Sequence, residues 1–387
     1  MAGRNHLYVP GPTNLPERVM NAMHVQSVDH RSPVFPDLLK PLLADLKKVF
    51  KTEAGTAFIF PATGTAGWEI AFTNTLSPGD KVLIYRFGQF GHLWANMAQR
   101  LGLDVTVVER PWGEGIALDD LEQRLKADSA HTYKAVLATH NETSTGVTSD
   151  IAGVRKALDA AQHPALLFVD GVSSVASIDF RMDEWGVDGI ISGSQKGFML
   201  PAGLALVAFS PKALSKLDEA GFPRCFFDLR DMLNSNKDGY TPYTPSIPLL
   251  YGLRAALDLL LEEGLDNVFA RHQRLGAGTR AAVKAWGLDI CARPGFESNT
   301  VTAAVVPADK DARDVIGTAF KKYHISLGGG LSEVAGKVFR IGHMGDMNEV
   351  SMLGAIAGVE MALLDHGFAI KAGSGVAAAL EYYRNAL

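Results

Sequence analysis

A run of five apolar residues, Ala165–Val169, stops abruptly at Asp170. So short a run with no polar alternation reads as a strand buried on both faces, which a parallel sheet covered by helices requires. A second apolar pair, Ile190-Ile191, follows an amphipathic link and ends in the polar turn Ser192–Gly197. Asp170 and Lys196 therefore each sit at or just past the C-terminal end of a predicted strand. In parallel α/β sheets that rim is where ligands bind.

The preceding chain repeats the pattern of strand, polar turn and helix. Leu38, Leu39, Leu42, Leu43, Leu46 and Val49 recur at helical spacing and predict a helix over Phe35–Phe50. Ala57–Phe60 predicts a strand that runs into Pro61–Gly67 and then a helix, Trp68–Thr75. Lys81–Tyr85 and Val105–Val108 read as strands, with a helix over Leu93–Leu101 between them. Another helix, Leu118–Leu125, precedes a strand at Ala135–Ala138 that ends in THNETSTG, and Ile151–Gln162 is the crossover helix. This alternation predicts a doubly wound, mostly parallel sheet between helices. Leu204–Phe209 adds a strand at the back of the sheet. Further along, Pro248–Glu263 and Val268–Trp286 read as helices, Asn299–Val306 and Lys337–Ile341 as strands, and Ala312–Tyr323 and a closing Met347–Leu364 as helices. That mixture predicts a smaller α+β domain. The expected division is an extended N-terminal arm, residues 1–16, a large domain, 17–262, and a small domain, 263–387. The prolines around Gly11 keep the arm from being helical, and an arm of this length is expected to lie across a neighbouring subunit.

Several polar strand ends converge on one rim: Thr63–Thr65, Phe90, Thr143, Asp170 and Lys196. Each has an ordinary reading beside the functional one. The Gly/Thr turn around Gly64 is a threonine-capped tight turn or a phosphate cradle at a helix N-terminus. Phe90 is a core residue or a stacking partner for a flat ring. Arg31 is a surface arginine or a carboxylate clamp, and His140 alone reads as structural. Arg340, in an apolar strand, needs an anion or an acid partner. A lysine at the rim can form a Schiff base, and an acid there can hold a protonated pyridine nitrogen.

Composition narrows the classes. With 47% hydrophobic and 20% charged residues and a net charge of −5, the chain reads as an ordinary globular protein with no basic block for nucleic acid. Cys225 and Cys291 are too few for a disulfide framework and form no metal pattern. No apolar run reaches the ~18–20 residues of a membrane helix, and the first residues lack a signal-peptide core. A cytoplasmic protein with no metal and no membrane partner is expected.

At nearly full length the chain resembles the fold-type I, class V pyridoxal-phosphate (PLP) aminotransferases, in their serine–glyoxylate and alanine–glyoxylate branch. The resemblance is carried by VPGPTNLPERV, DHRSP, FPATGTAGWE, GQFGHLW, HNETSTGV, VDGVSSVASIDFRMDEWGVD, SGSQKG, YTPSIPLLYGLRAALDLLLEEGLDN and GKVFRIGHMG. It implies the PLP-transferase fold and ping-pong transamination, with L-serine as the leading donor, L-alanine next, and glyoxylate as acceptor. It further implies Lys196 as the Schiff-base lysine and Asp170 as the pyridinium partner. Gly64, Thr65 and Gln195 fall at the phosphate, with Thr244 and Tyr243 contributed across a dimer, and Thr63 falls in the cofactor site. Thr143 falls near the ring hydroxyl, Phe90 on the ring face, and Arg340 on the substrate carboxylate. His30 and Arg31 fall on a segment reaching the neighbouring active site. The implied assembly is a homodimer, or a dimer of dimers, with sites at the interface. A cysteine-desulfurase-like lyase shares the cofactor set but needs a mobile nucleophilic cysteine, and neither Cys225 nor Cys291 lies in a catalytic motif. A nicotinamide oxidoreductase lacks its glycine fingerprint here, and a non-catalytic binding protein would not need both Lys196 and Asp170.

Overall fold

A computed structural model describes residues 5–386 of the 387-residue chain; residues 1–4 of the expected N-terminal arm lie outside them. The strands are β1 (His6–Tyr8), β2 (Thr56–Phe60), β3 (Lys81–Arg86), β4 (Asp104–Glu109), β5 (Tyr133–Thr139), β6 (Asn141–Glu142) and β7 (Val147–Thr148). They continue with β8 (Leu166–Asp170), β9 (Gly189–Gly193), β10 (Ala205–Phe209), β11 (Asp289–Ile290), β12 (Val301–Val305), β13 (Ile325–Gly329) and β14 (Val338–Gly342). Seven form one sheet in the order β2-β10-β9-β8-β5-β3-β4, and five form a second in the order β1-β13-β14-β12-β11. The large sheet is parallel except for β10, which runs antiparallel to both β2 and β9. The strand expected at the back thus lies inside the sheet, reached from β9 by the short turn that carries Lys196.

The unbroken apolar run of β8 follows from its place in the middle. Leu167 and Val169 pack into one core cluster, while Leu166 and Phe168 pack into the cluster on the opposite face. Alternating side chains point to opposite faces, so a strand covered on both must be apolar throughout. The helices Phe35–Phe50, Leu118–Ala127, Ile151–Ala160 and Ile247–Glu263 cover the first face; Gly64–Thr75 and Gln89–Arg100 cover the second. A third cluster lies between the small sheet and the helices Leu265–Ala285, Ala312–Tyr323, Glu349–Asp365 and Ser374–Ala386.

Five further features differ from the sequence reading. The helix expected from Trp68 begins at Gly64, and the one expected from Leu93 begins at Gln89. The helix Ser374–Ala386 follows the one expected to close the chain, and β13 joins the small sheet. The N-terminal segment contributes a strand to the small sheet: β1 pairs in parallel with β13, His6 opposite Ile325. Among the described residues no helix is long and apolar enough to cross a membrane, and no cluster of His, Cys, Asp and Glu could hold a metal.

Candidate active site

Parallel strands end at a common rim, and the C-terminal ends of β2, β3, β5, β8 and β9 all meet there. A cavity of about 220 Å³ opens at this rim, lined by Thr63, Gly64, Thr65, Phe90, Thr143, Asp170, Gln195 and Lys196. Every one of these lies at or just beyond a strand end. Trp68, Val172 and Ser173 complete the wall.

Asp170 ends β8 with its side chain 4% exposed. Its Oδ1 accepts from the Val172 amide at 2.9 Å. Burial pushes the carboxyl up to about 7, the nearby Glu142 adding to the rise and Lys196 opposing it. Lys196 stands on the turn between β9 and β10. Ser194 pins this turn: its amide donates to Leu204 O at 3.1 Å and its hydroxyl to Pro201 O at 2.7 Å. Gly197 must follow the lysine, because a Cβ there would come within 2.3 Å of the Val175 carbonyl oxygen. Burial lowers the Lys196 amine to about 8; Arg340 lowers it further, and Asp170 works the other way. The amine donates to the Pro10 carbonyl, and Gly11 lies over its stem, where a Cβ would meet Lys196 Cδ at 2.4 Å. Thr13 anchors the same segment, its amide donating to Gln195 O at 3.2 Å. The proline-stiffened arm is therefore a strap across its own chain's lysine.

The helix starting at Gly64 has Thr63 as N-cap residue, yet no side chain caps it. Its first amides precede the helix's own hydrogen-bond ladder and carry the positive end of its dipole, which suits a phosphate. A Cβ at Gly64 would lie 2.5 Å from Val172 Cγ2, so the backbone comes this close only as glycine. The Gln195 Oε1 and the Trp68 indole nitrogen are buried without partners. On the opposite side Thr143 donates to Ser173 Oγ at 2.7 Å, and Ser173 donates to Asn141 O at 2.9 Å.

Arg340 comes from β14 of the small sheet and is 7% exposed. Its Nε donates to Gly329 O at 2.9 Å and its Nη1 to Thr143 O at 3.0 Å. Among the described residues it has only these backbone acceptors and no carboxylate partner. Burial brings it down to about 10, with Glu142 opposing the fall. Such a cation awaits an anion.

Five expected residues are not among those lining this cavity: Arg340, whose charge is nonetheless felt at Lys196, and four others. Arg31 is fastened to the loop after Gly239, donating to Thr241 O at 2.7 Å and Pro242 O at 2.9 Å. Tyr243 donates to Asp231 Oδ2 at 2.9 Å and stacks on Phe226, while Thr244 is exposed. His30 is half-buried beside Asp29. These four residues gather around the loop 241–245, outside the cavity lining, where Tyr243 lies near Phe60 and Pro61 at the end of β2.

The cavity fits the expected pyridoxal phosphate. Lys196 offers an amine for an aldehyde, Asp170 a carboxyl for a ring nitrogen, Phe90 a flat face for a ring, and the Gly64–Thr65 helix start free amides for a phosphate. A polar guest would give the Gln195 oxygen the partner it lacks within the chain, while the Trp68 indole is close enough to Asp170 to lower that carboxyl. Sequence reasoning missed Trp68, Ser173, Glu142 and the Pro10 carbonyl. Trp68 was legible four residues after Gly64, on the same helix face, once the helix start was known.

The family model described as "Aminotransferase class-V" matches residues 6–344. The serine–glyoxylate aminotransferase of Methylorubrum extorquens is 59% identical over 388 residues, covering 99% of this chain and 96% of that protein. The L-aspartate–glyoxylate aminotransferase of Paracoccus denitrificans is 57% identical, covering 99% and 97%. Among solved structures, the ureidoglycine–glyoxylate aminotransferase of Bacillus subtilis matches with a TM-score of 0.93 at 29% identity, covering 100% of this chain and 99% of that one.

Proposed function

This chain belongs to the class V aminotransferases, and we propose that within them it passes the amino group of L-serine to glyoxylate, giving hydroxypyruvate and glycine. The cofactor of the family is pyridoxal 5′-phosphate, which supplies a protonated pyridine ring that accepts the electrons left when the donor loses its Cα proton. One observation carries the residue assignment: Lys196 and Asp170 line the same small cavity as the Gly64 helix start.

In this reading Asp170 holds the proton on the ring nitrogen. The pairing suits a carboxyl that burial has already pushed up to about 7. Lys196 Nζ takes the proton from the donor's Cα and releases it again; a pKa near 8 lets it do both near neutrality. Arg340 grips the donor's α-carboxylate in a fork that a lysine could not form, and so fixes which Cα bond faces Lys196. Phe90 would pack against the ring, and Thr143 with Ser173 would take its hydroxyl. Thr63, Gly64, Thr65 and Gln195 hold the phosphate.

We read the molecule as a homodimer in which Thr244, Tyr243, His30 and Arg31 complete the partner's site. The clustering of these residues away from their own cavity supports this, and a sedimentation mass of a single chain for the holoenzyme would contradict it. The large part is residues 17–262 and the small part 263–387, with Arg340 and Lys196 contributed from opposite sides. The compartment is cytoplasmic, in keeping with two unpaired cysteines. A lyase attacking through cysteine is disfavoured: burial pushes Cys291 up to about 11 and Cys225 is exposed, both off the cavity.

Aspartate is the second reading, motivated by the Paracoccus relative's name. Its extra carboxylate would need a second cation; among the described residues of one chain Arg340 is the arginine placed for a carboxylate, and in the dimer proposed above the second would have to be the partner subunit's Arg31. A half-reaction titration decides. Serine is expected to bleach the holoenzyme's visible band stoichiometrically, and glyoxylate to restore it. Bleaching by aspartate or cysteine but not by serine would overturn the proposal.

A further inference from the structure

Glu142 is a buried acid that the reading above does not use. It is 1% exposed, directly behind the cavity wall. Its Oε2 accepts from the amides of Phe90 at 3.0 Å and Gly91 at 3.1 Å. Its Oε1 accepts from the Ser144 amide at 3.1 Å and the Ser144 hydroxyl at 2.7 Å. The Gln89 amide donates to the same hydroxyl at 2.9 Å. The helix Gln89–Arg100 has a glycine, Gly88, at its N-cap position, with no side chain to cap it. Glu142 and Ser144 therefore do the capping from another strand end, and Phe90 sits in the turn they hold.

The arrangement is built for this acid. A Cβ on Gly88 would lie 2.2 Å from Glu142 Cγ and 2.6 Å from Ser144 Oγ, so only glycine leaves room. The next residue along, Thr143, gives its carbonyl to Arg340 and its hydroxyl to Ser173. One short segment thus touches the ring-face phenylalanine through Glu142 and the carboxylate-binding arginine through Thr143. Burial raises Glu142, and its bonds to Ser144, Gly91 and Phe90 oppose the rise; its charge in turn helps keep Arg340 ionised.

We propose that Glu142 is a positioning residue for transamination: its carboxylate fixes Phe90 over the cofactor plane, and the strand end it anchors holds the Thr143 carbonyl that Arg340 grips. The inference rests on the cavity being the cofactor site. It acts through Phe90 on cofactor binding and through Arg340 on donor binding, and both effects are measurable apart from turnover.

The test is a double-mutant cycle on PLP affinity, followed by tryptophan fluorescence quenching in the cofactor-free protein, since Trp68 lines the cavity. A glutamine at 142 turns a donor toward Ser144 N–H, which itself donates. Glu142→Gln is expected to weaken PLP binding about tenfold, the scale of a lost charge-assisted bond. In a Phe90→Leu background the same change is expected to cost less than about twofold, because the group it positions is gone. In the loaded enzyme, KM for serine is expected to rise more than kcat falls. A tenfold loss in both backgrounds, or equal changes in kcat and KM, would overturn the proposal. Should Glu142→Gln fail to fold, Gly88→Ala displaces the same carboxylate from the helix side and is expected to give the same cycle. A Lys196→Ala control separates the outcomes. If that variant keeps the visible band, the site assignment is wrong; if it loses the band while the cycle is additive, only the role of Glu142 is.

Discussion

Lys196 is unusual first as an amine. An ordinary lysine near pH 8 is roughly 0.3% neutral, whereas one lowered to about 8 is roughly half neutral there. Only the neutral amine attacks a carbonyl, so PLP association with the cofactor-free protein is expected to accelerate with pH through a midpoint near 8; stopped-flow absorbance measures it. The stability sign for Asp170 is the reverse of a salt-bridged acid. Its native pKa, about 7, lies above the ~3.9 of an unfolded chain. Between those values the native state binds more protons, so Asp170 costs the cofactor-free protein stability as pH rises from about 4 to 7. Asp170→Asn is therefore expected to melt several degrees above wild type at pH 7.5 without cofactor, to show a smaller gap at pH 4.5, and to hold PLP poorly. Lys196, Asp170 and Arg340 were legible because a charged residue in an apolar frame needs an explanation. Trp68 and Glu142 were not. An aromatic residue on a helix and an acid in a polar turn look ordinary until the partners from other strands are seen.

Among the elements, the helix Gly64–Thr75 matters most. Its existence was legible, but its start was placed four residues late because Gly-Thr-Ala-Gly resembles a turn. The difference is functional: Gly64 and Thr65 belong to the helix's first turn, where amides point outward, and not to a loop before it. Gly64→Ala brings a methyl within 2.5 Å of Val172 Cγ2. Either the turn or Val172 must move, and PLP affinity is expected to fall at least about tenfold, with the far-ultraviolet spectrum unchanged. Val172→Ala added to it is expected to recover most of the loss, which a general folding defect would not do. The helix at Ser374–Ala386 was missed for a different reason. Its alanine-rich sequence carries a weak apolar stripe, and its docking depends on a distant glycine: a Cβ at Gly278 would lie 2.1 Å from Tyr383. No local pattern reports such a contact.

At the scale of the whole molecule, the chain alternation gave the large sheet and the rim, while the way the two sheets join was out of reach. The N-terminal segment shows why. Its prolines exclude a helix but do not say where an extended chain goes. It pairs with β13 in the small sheet, then crosses to place Pro10 on Lys196 and Thr13 on Gln195 in the large one. Arg340 crosses in the other direction, from β14 to Thr143. The two crossings end on the cavity wall, one at Lys196 and one at Thr143, and the account stands or falls on the chemistry of that lysine. Borohydride makes a lysine–aldehyde link permanent, so reduction of the holoenzyme followed by peptide mass spectrometry reads the attachment point directly. One phosphopyridoxyl group per chain on the peptide containing Lys196 is the predicted result; the label on any other lysine, or none fixed at all, would contradict it.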